Sequence, residues 1–129
     1  MSSSVRRAIA TDGSPTPTGP FSQAIVVGDL VFTAGQAGRN RDTGVMGDLG
    51  EQTNWALDNI EQILLAAGTD LAHVVKTTVF LKDTESTTAL NAVWEERFPE
   101  PRPARSSLFV SRLKNPDMLV EIEAVAVLP

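Results

Sequence analysis

The stretch Leu119–Leu128, "LVEIEAVAVL", decides the fold because it is a strand-like run that is apolar on both of its faces. Side chains alternate between the two faces of a strand, so Glu121 and Glu123 share one face. A second run, "VVKTTVFL" within His73–Asp83, also has few outward polar positions. A strand of this kind predicts a sheet that is covered on both sides.

A helix is the clearest other signal, in Asp48–Gly68, "DLGEQTNWALDNIEQILLAAG". Its apolar positions recur every 3.6 residues, as on one face of an amphipathic helix. Asp48 and Glu51 have the spacing of an N-terminal capping box, and Gly68 is a typical helix end. The positions predicted to face the core are Leu49, Thr53, Ala56, Leu57, Ile60, Ile63, Leu64 and Ala67.

The remaining elements are strands, with one further helix. "VRRAIAT" is a candidate first strand, and "AIVVGDLVFT" predicts a hairpin with a type II′ turn at Gly28-Asp29. A second helix is expected from about Glu85 to Arg97, and strands around residues 105–111 and 119–128. The order β-β-β-α-β-α-β-β predicts an α+β fold, with one sheet and two helices on the same face.

That architecture leaves one face of the sheet without a cover. Residues 1–129 suffice for a single domain, of which 1–18 is expected to be a partly flexible N-terminal segment. No element remains to cover the second face. Packing of symmetric copies, sheet against sheet, is the most economical solution.

Composition narrows the function classes. A net charge of −5 and a pI of about 4.7 disfavour nucleic-acid binding, which needs a basic footprint. The chain has no cysteine and one histidine, so a thiol nucleophile is excluded and a His-based metal site or Ser-His triad is disfavoured. No run suggests a membrane span or a signal peptide. We therefore expect a cytoplasmic protein without a metal.

Arg105 poses the functional question, since an always-charged side chain lies at the start of a strand-like run, "RPARSSLFVSR". A buried charge is costly unless it is paired, so Arg105 requires an acidic partner or an acidic ligand. The residues alone allow either an acidic partner or an acidic ligand, and they favour an ion pair with a strand glutamate. Trp55 and Trp94 lie on the predicted helices, where packing is favoured over substrate stacking.

Several motifs in one order resemble the RidA/YjgF family, whose older names include the L-PSP endoribonuclease group. They are "GPFSQAIVVGDLVFTAGQ", "HVVKTTVFLKD", "LNAVWEERF", "RPARSSLFVSRL" and "VEIEAVAV", and they span almost the whole chain. The resemblance implies a chorismate-mutase-like fold and a homotrimer. In that assembly the sheets form an inner barrel, the helices lie outside, and ligands bind in clefts between subunits.

The activity that this resemblance implies is hydrolysis of reactive enamines and imines, such as 2-aminoacrylate, to 2-keto acids and ammonia, without a cofactor. By position, Arg105 would clamp the substrate carboxylate and Glu121 would hold or activate the attacking water. The other implied substrate-binding residues are Phe21, Ala34, Gly35, Asn91 and Ser107. Phe21 and Ala34 depart from the family, which often has tyrosine and serine there, so two hydroxyl groups are lost.

Two other functions remain as alternatives. The same pocket could bind a small carboxylate or 2-keto acid without turnover, as a regulatory module. The older family name suggests an endoribonuclease, which the acidic pI and the lone His73 speak against. Release of ammonia from a freshly generated imino acid separates an enzyme from a binding module.

Overall fold

A computed structural model describes residues 5–129 of the chain and has the predicted order of elements. The strands are β1 (Arg7–Ile9), β2 (Ala24–Val27), β3 (Leu30–Thr33), β4 (Val74–Lys82), β5 (Ala104–Val110) and β6 (Val120–Val127). The helices are α1 (Leu49–Ala67) and α2 (Thr88–Arg97), and a 3-10 turn at Leu71–His73 precedes β4. Part of the segment expected to be flexible, residues 1–4, lies outside the described residues.

The strands form one six-stranded sheet in the order β1-β2-β3-β6-β4-β5. Only β4 and β5 run parallel, and every other neighbouring pair is antiparallel. The last strand, β6, thus lies in the middle of the sheet, between β3 and β4, and β5 forms one edge. The β2–β3 hairpin turns at Gly28, whose φ of 57° is the positive value that a glycine-first turn requires.

Helix α1 forms as its sequence predicts. The Asp48 carboxylate accepts a hydrogen bond from the Glu51 amide, and the Glu51 side chain accepts one from the Asp48 amide, which completes the capping box. Gly68 ends the helix with a φ of 96°. All eight positions predicted to face the core are buried.

Two buried polar residues of α1 were not predicted. Gln52 accepts from the Leu119 amide and donates to the carbonyls of Gly47 and Asp117. Asn59 donates to the Ala37 carbonyl. These bonds tie the helix to the loop between β3 and α1 and to the segment that leads into β6.

The two faces of the sheet differ. On β6, alternate residues starting with Val120 are buried under the helices, whereas the residues between them, starting with Glu121, are partly or fully exposed. The face without helices includes Phe32 and Leu108, which are 42% and 45% exposed. This exposed apolar surface is the uncovered face that the sequence predicts. No helix within residues 5–129 is both long and apolar enough to cross a membrane.

Helix α2 begins at Thr88, later than the start predicted at about Glu85. A backbone bond explains the difference, since the Glu85 amide donates to the Lys82 carbonyl three residues earlier. This bond closes a turn at residues 82–85, so the helix begins after it. The apolar side chains of α2 and of the residue that follows it face the core: Leu90, Val93, Trp94 and Phe98 are buried, and Ala89 is partly buried.

Candidate functional site

Arg105 lies on the edge strand β5, with its side chain on the helix-covered side of the sheet. It pairs with Thr77, a buried residue on that side of β4. Its Nη2 donates to Asn91 Oδ1 at 2.8 Å, and its Cζ lies 5.3 Å from the centroid of the Trp94 ring. Two residues of α2 therefore hold the guanidinium, and neither is acidic.

The guanidinium of Arg105 has no carboxylate within 4.0 Å among residues 5–129. Its pKa is lowered from the usual value because burial removes water from the charge. An arginine remains protonated at any physiological pH all the same. Ser107 follows on the same face of β5 and is exposed. The ion pair with a strand glutamate is thus not formed within one chain, and most of the N–H donors of Arg105 stay available to an anion.

Glu121 lies on the other face of the sheet, where it pairs with Phe80 of β4. Its carboxylate packs on the backbone of Gly35: a Cβ placed on this glycine would lie 2.5 Å from Glu121 Oε2. Burial raises the pKa of Glu121, and the nearby charge of Glu123 raises it further, while Lys114 lowers it. A carboxylate with a raised pKa is a stronger base than an ordinary glutamate, as proton abstraction requires.

A cleft of about 990 Å³ opens beside Glu121. Three of the predicted substrate-binding residues line it with Glu121, namely Phe21, Ala34 and Gly35. Phe21 is 51% exposed, so its ring forms a wall of the cleft rather than part of the core. The predicted residues therefore fall into two sets, one around this cleft and one around Arg105.

The two sets lie apart within one chain. Arg105 and Glu121 pair with Thr77 and Phe80, which are three residues apart on β4 and so point to opposite faces. With about 3.3 Å per residue and about 4.8 Å between strands, the Cα atoms of Arg105 and Glu121 are roughly 14 Å apart. One chain alone therefore does not bring these two side chains together. Arg105 is not among the charges that shift the pKa of Glu121 within one chain.

Two neighbours of the site were missed from the sequence as functional residues. Lys114 lines the cleft and donates to the Thr18 hydroxyl, but in the sequence it belongs to "KNPD", which indicates only a turn. Trp94 lies three residues after Asn91, and this helical spacing was a usable signal that both face the same strand. Within residues 5–129, no three His, Asp or Glu side chains converge as metal ligands would.

The chain is similar to known proteins over the whole region that contains the candidate site. The family model described as "Endoribonuclease L-PSP" matches residues 11–128, a range that contains every candidate site residue. A RutC family protein of Pyrococcus abyssi is 46% identical over 123 residues, which cover 94% of this chain and 96% of that protein. The 2-iminobutanoate/2-iminopropanoate deaminase of Escherichia coli K12 is 41% identical over 125 residues, with 94% and 97% covered. The crystal structure of the YjgF gene product from E. coli matches with a TM-score of 0.85 at 40% identity, covering 94% and 98%.

Proposed function

The chain belongs to the endoribonuclease L-PSP family, the RidA/YjgF family, and from that premise we propose that it hydrolyses 2-imino acids to 2-keto acids and ammonia. The relative from E. coli K12 carries this activity in its name. The observation that carries the proposal is Arg105, a partly buried guanidinium without an acidic partner among the described residues. Such a group is suited to an incoming carboxylate.

Arg105 is proposed to clamp the carboxylate of the substrate. A guanidinium presents its N–H groups as a planar fork that matches the two oxygens of a carboxylate. One of these N–H groups is used by Asn91, which fixes the rotation of the fork. Asn91 thereby acts through Arg105, and Ser107, exposed on the same face of the strand, lies next to the bound anion.

Glu121 is proposed to orient and deprotonate the attacking water. The protonated C=N carbon of a 2-imino acid is already electrophilic, so positioning of the water supplies most of what the reaction needs. The water oxygen bonds to C2 while its proton passes to Glu121, which gives a carbinolamine. The same proton then goes to the nitrogen, and as the C–N bond breaks the hydroxyl group gives its proton to Glu121 and becomes the carbonyl of the 2-keto acid. The nitrogen leaves as ammonia and takes up that proton as ammonium, which restores ionised Glu121. No electrons are transferred.

The complete site is proposed to lie between protomers of a homotrimer. Two features support this arrangement: the exposed apolar face of the sheet, and the placement of Arg105 and Glu121 on opposite faces. One protomer would supply Arg105 with Asn91 and Ser107. Its neighbour would supply Glu121 and the cleft lined by Phe21, Ala34 and Gly35.

Phe21 and Ala34 bear on the choice of substrate. Both line the cleft next to Glu121, and neither carries a hydroxyl group. An apolar wall favours an apolar substrate side chain, since each buried CH₂ contributes about 0.8 kcal/mol. We therefore place imines with an aliphatic side chain, such as 2-iminobutanoate, ahead of 2-aminoacrylate as substrates.

Ammonia release from a freshly generated 2-imino acid tests the proposal. Arg105→Ala is expected to lower kcat/KM by about 100-fold or more, because hydrogen bonds to a charged group contribute roughly 1.5–3 kcal/mol each. Arg102→Ala is the matched control. It removes the same charge three residues earlier, from an exposed side chain that contacts Glu100.

Three outcomes would contradict the proposal in different ways. Equal activity of the Arg105→Ala and Arg102→Ala variants would reject the clamp. A wild-type protein that binds 2-oxobutanoate and releases no ammonia above the buffer rate would be a binding module. RNA cleavage that persists through purification and disappears in Arg105→Ala would revive the endoribonuclease alternative.

A further inference from the structure

We propose that Trp94 is a positioning residue, whose indole ring is the platform that holds the Arg105 guanidinium in the orientation that binds a carboxylate. The inference rests on the proposed function, and it concerns a residue that the family assignment gives no role. Its basis is the packing between α2 and β5.

The ring lies within the range of a cation–π contact. The Cζ atom of Arg105 is 5.3 Å from the ring centroid, and such contacts are significant within about 6 Å. Trp94 is only 4% exposed, and Phe98 packs against it with the two ring centroids 4.9 Å apart. The ring is therefore immobile, which a platform requires.

Trp94 and Asn91 restrain different motions of the guanidinium. Contact with the flat indole limits the position of the guanidinium relative to the ring, and the hydrogen bond to Asn91 Oδ1 limits its rotation. Both residues come from α2, at positions three apart, so one rigid element sets the geometry. The N–H groups that Asn91 leaves unused can then meet both oxygens of a carboxylate together.

The indole N–H gives a second, independent reason for a role beyond packing. Trp94 Nε1 is buried and has no hydrogen-bond partner within residues 5–129. An unpaired buried donor destabilises a protein. Phenylalanine would fill much of the same space without that cost. Tryptophan has the ring that binds cations most strongly, which accounts for its presence at this position.

The expected effect falls on binding rather than on the chemical step. Arg105 contacts the carboxylate equally in the bound substrate and in the transition state, so a disturbed clamp raises KM and leaves kcat nearly unchanged. Loss of a cation–π contact corresponds to about a 2- to 30-fold weaker interaction.

The test is a series at position 94, measured by ammonia release and by calorimetric binding of 2-oxobutanoate, the 2-keto acid product. Trp94→Leu is expected to raise KM and the Kd of 2-oxobutanoate by about 2- to 30-fold, with Trp94→Tyr and Trp94→Phe between it and the wild type. The control is Trp55→Leu, which removes the other indole of the chain from α1, where it does not contact Arg105. A Kd for Trp94→Leu equal to that of the wild type would overturn the inference. Equal proportional losses in kcat and stability, without a change in Kd, would assign Trp94 to packing alone.

A second measurement does not depend on the stability of any Trp94 variant. In a Trp55→Phe background, Trp94 is the sole tryptophan, and its fluorescence reports on the guanidinium over its ring. Saturation with 2-oxobutanoate is expected to change the emission, and the change is expected to be absent when Arg105→Ala is added. Unchanged emission in a sample that calorimetry shows to be saturated would contradict the platform. If Arg105→Ala binds 2-oxobutanoate as the wild type does, the proposed function fails, whatever Trp94 does.

Discussion

Within one chain, the surroundings of Arg105 hold its guanidinium in place, whereas those of Glu121 raise the pKa of its carboxylate. Arg105 is held by an amide and an indole ring, and its position is fixed. Glu121 rests against Gly35, and no hydrogen bond to its carboxylate occurs within residues 5–129; burial and Glu123 raise its pKa. The first arrangement suits binding of an anion and the second suits proton transfer. Because the sheet separates them, neither charge neutralises the other within a chain.

Among the variants that distinguish the Glu121 region from the Arg105 region, Glu121→Gln is expected to have the largest effect. The substitution keeps the shape of the side chain and removes the base, so kcat is expected to fall by about 10²- to 10⁴-fold. The Kd of 2-oxobutanoate should change little, since Arg105 provides that binding. Steady-state kinetics and calorimetry on the same preparation check both values. A variant that retains wild-type kcat would remove Glu121 from the mechanism.

Gly35→Ala should have a smaller effect, and the side chain nearest to the new methyl group is Glu121. The new methyl group would lie 2.5 Å from Glu121 Oε2, so the carboxylate must move. The displaced atom is the end of a flexible side chain, so we expect Tm to fall by no more than a few degrees. A displaced base is expected to lower kcat by about 10-fold. Unchanged kcat, or unfolding of the variant, would contradict the idea that Gly35 positions the Glu121 carboxylate. Gly50→Ala is the control, since a Cβ there would be 3.5 Å from its nearest neighbour.

The smallest expected effect is a shift in the pH dependence of kcat. Activity requires ionised Glu121, so it falls as the pH drops through the pKa of Glu121, which lies above the usual value of 4.5. Glu123→Gln removes a like charge and is expected to move this acidic limb to lower pH. Lys114→Met removes an opposite charge and should move it to higher pH. Shifts in the same direction for both variants would show that Glu121 does not control the limb.

More of the fold than of the candidate site could be predicted from the sequence. The capping box at Asp48, the glycine end at Gly68 and the period of α1 are local signals, and each is confirmed. The separation of Arg105 from Glu121 depends on β4 lying between their strands, and this order of strands follows from long-range pairing that local patterns do not encode. The start of α2 was misplaced because residues 82–85 form a turn, in which the Glu85 amide donates to the Lys82 carbonyl.

Subunit complementation tests the central claim, a site divided between protomers, most directly. Arg105→Ala and Glu121→Gln chains would be co-expressed with different affinity tags and the mixed oligomers purified. In a mixed trimer of either composition, one of the three interfaces combines an intact Arg105 region with an intact Glu121 region. We expect the mixed oligomers to recover about a third of wild-type kcat/KM, far above either variant alone. Mixed oligomers no more active than the two inactive parents would contradict the account.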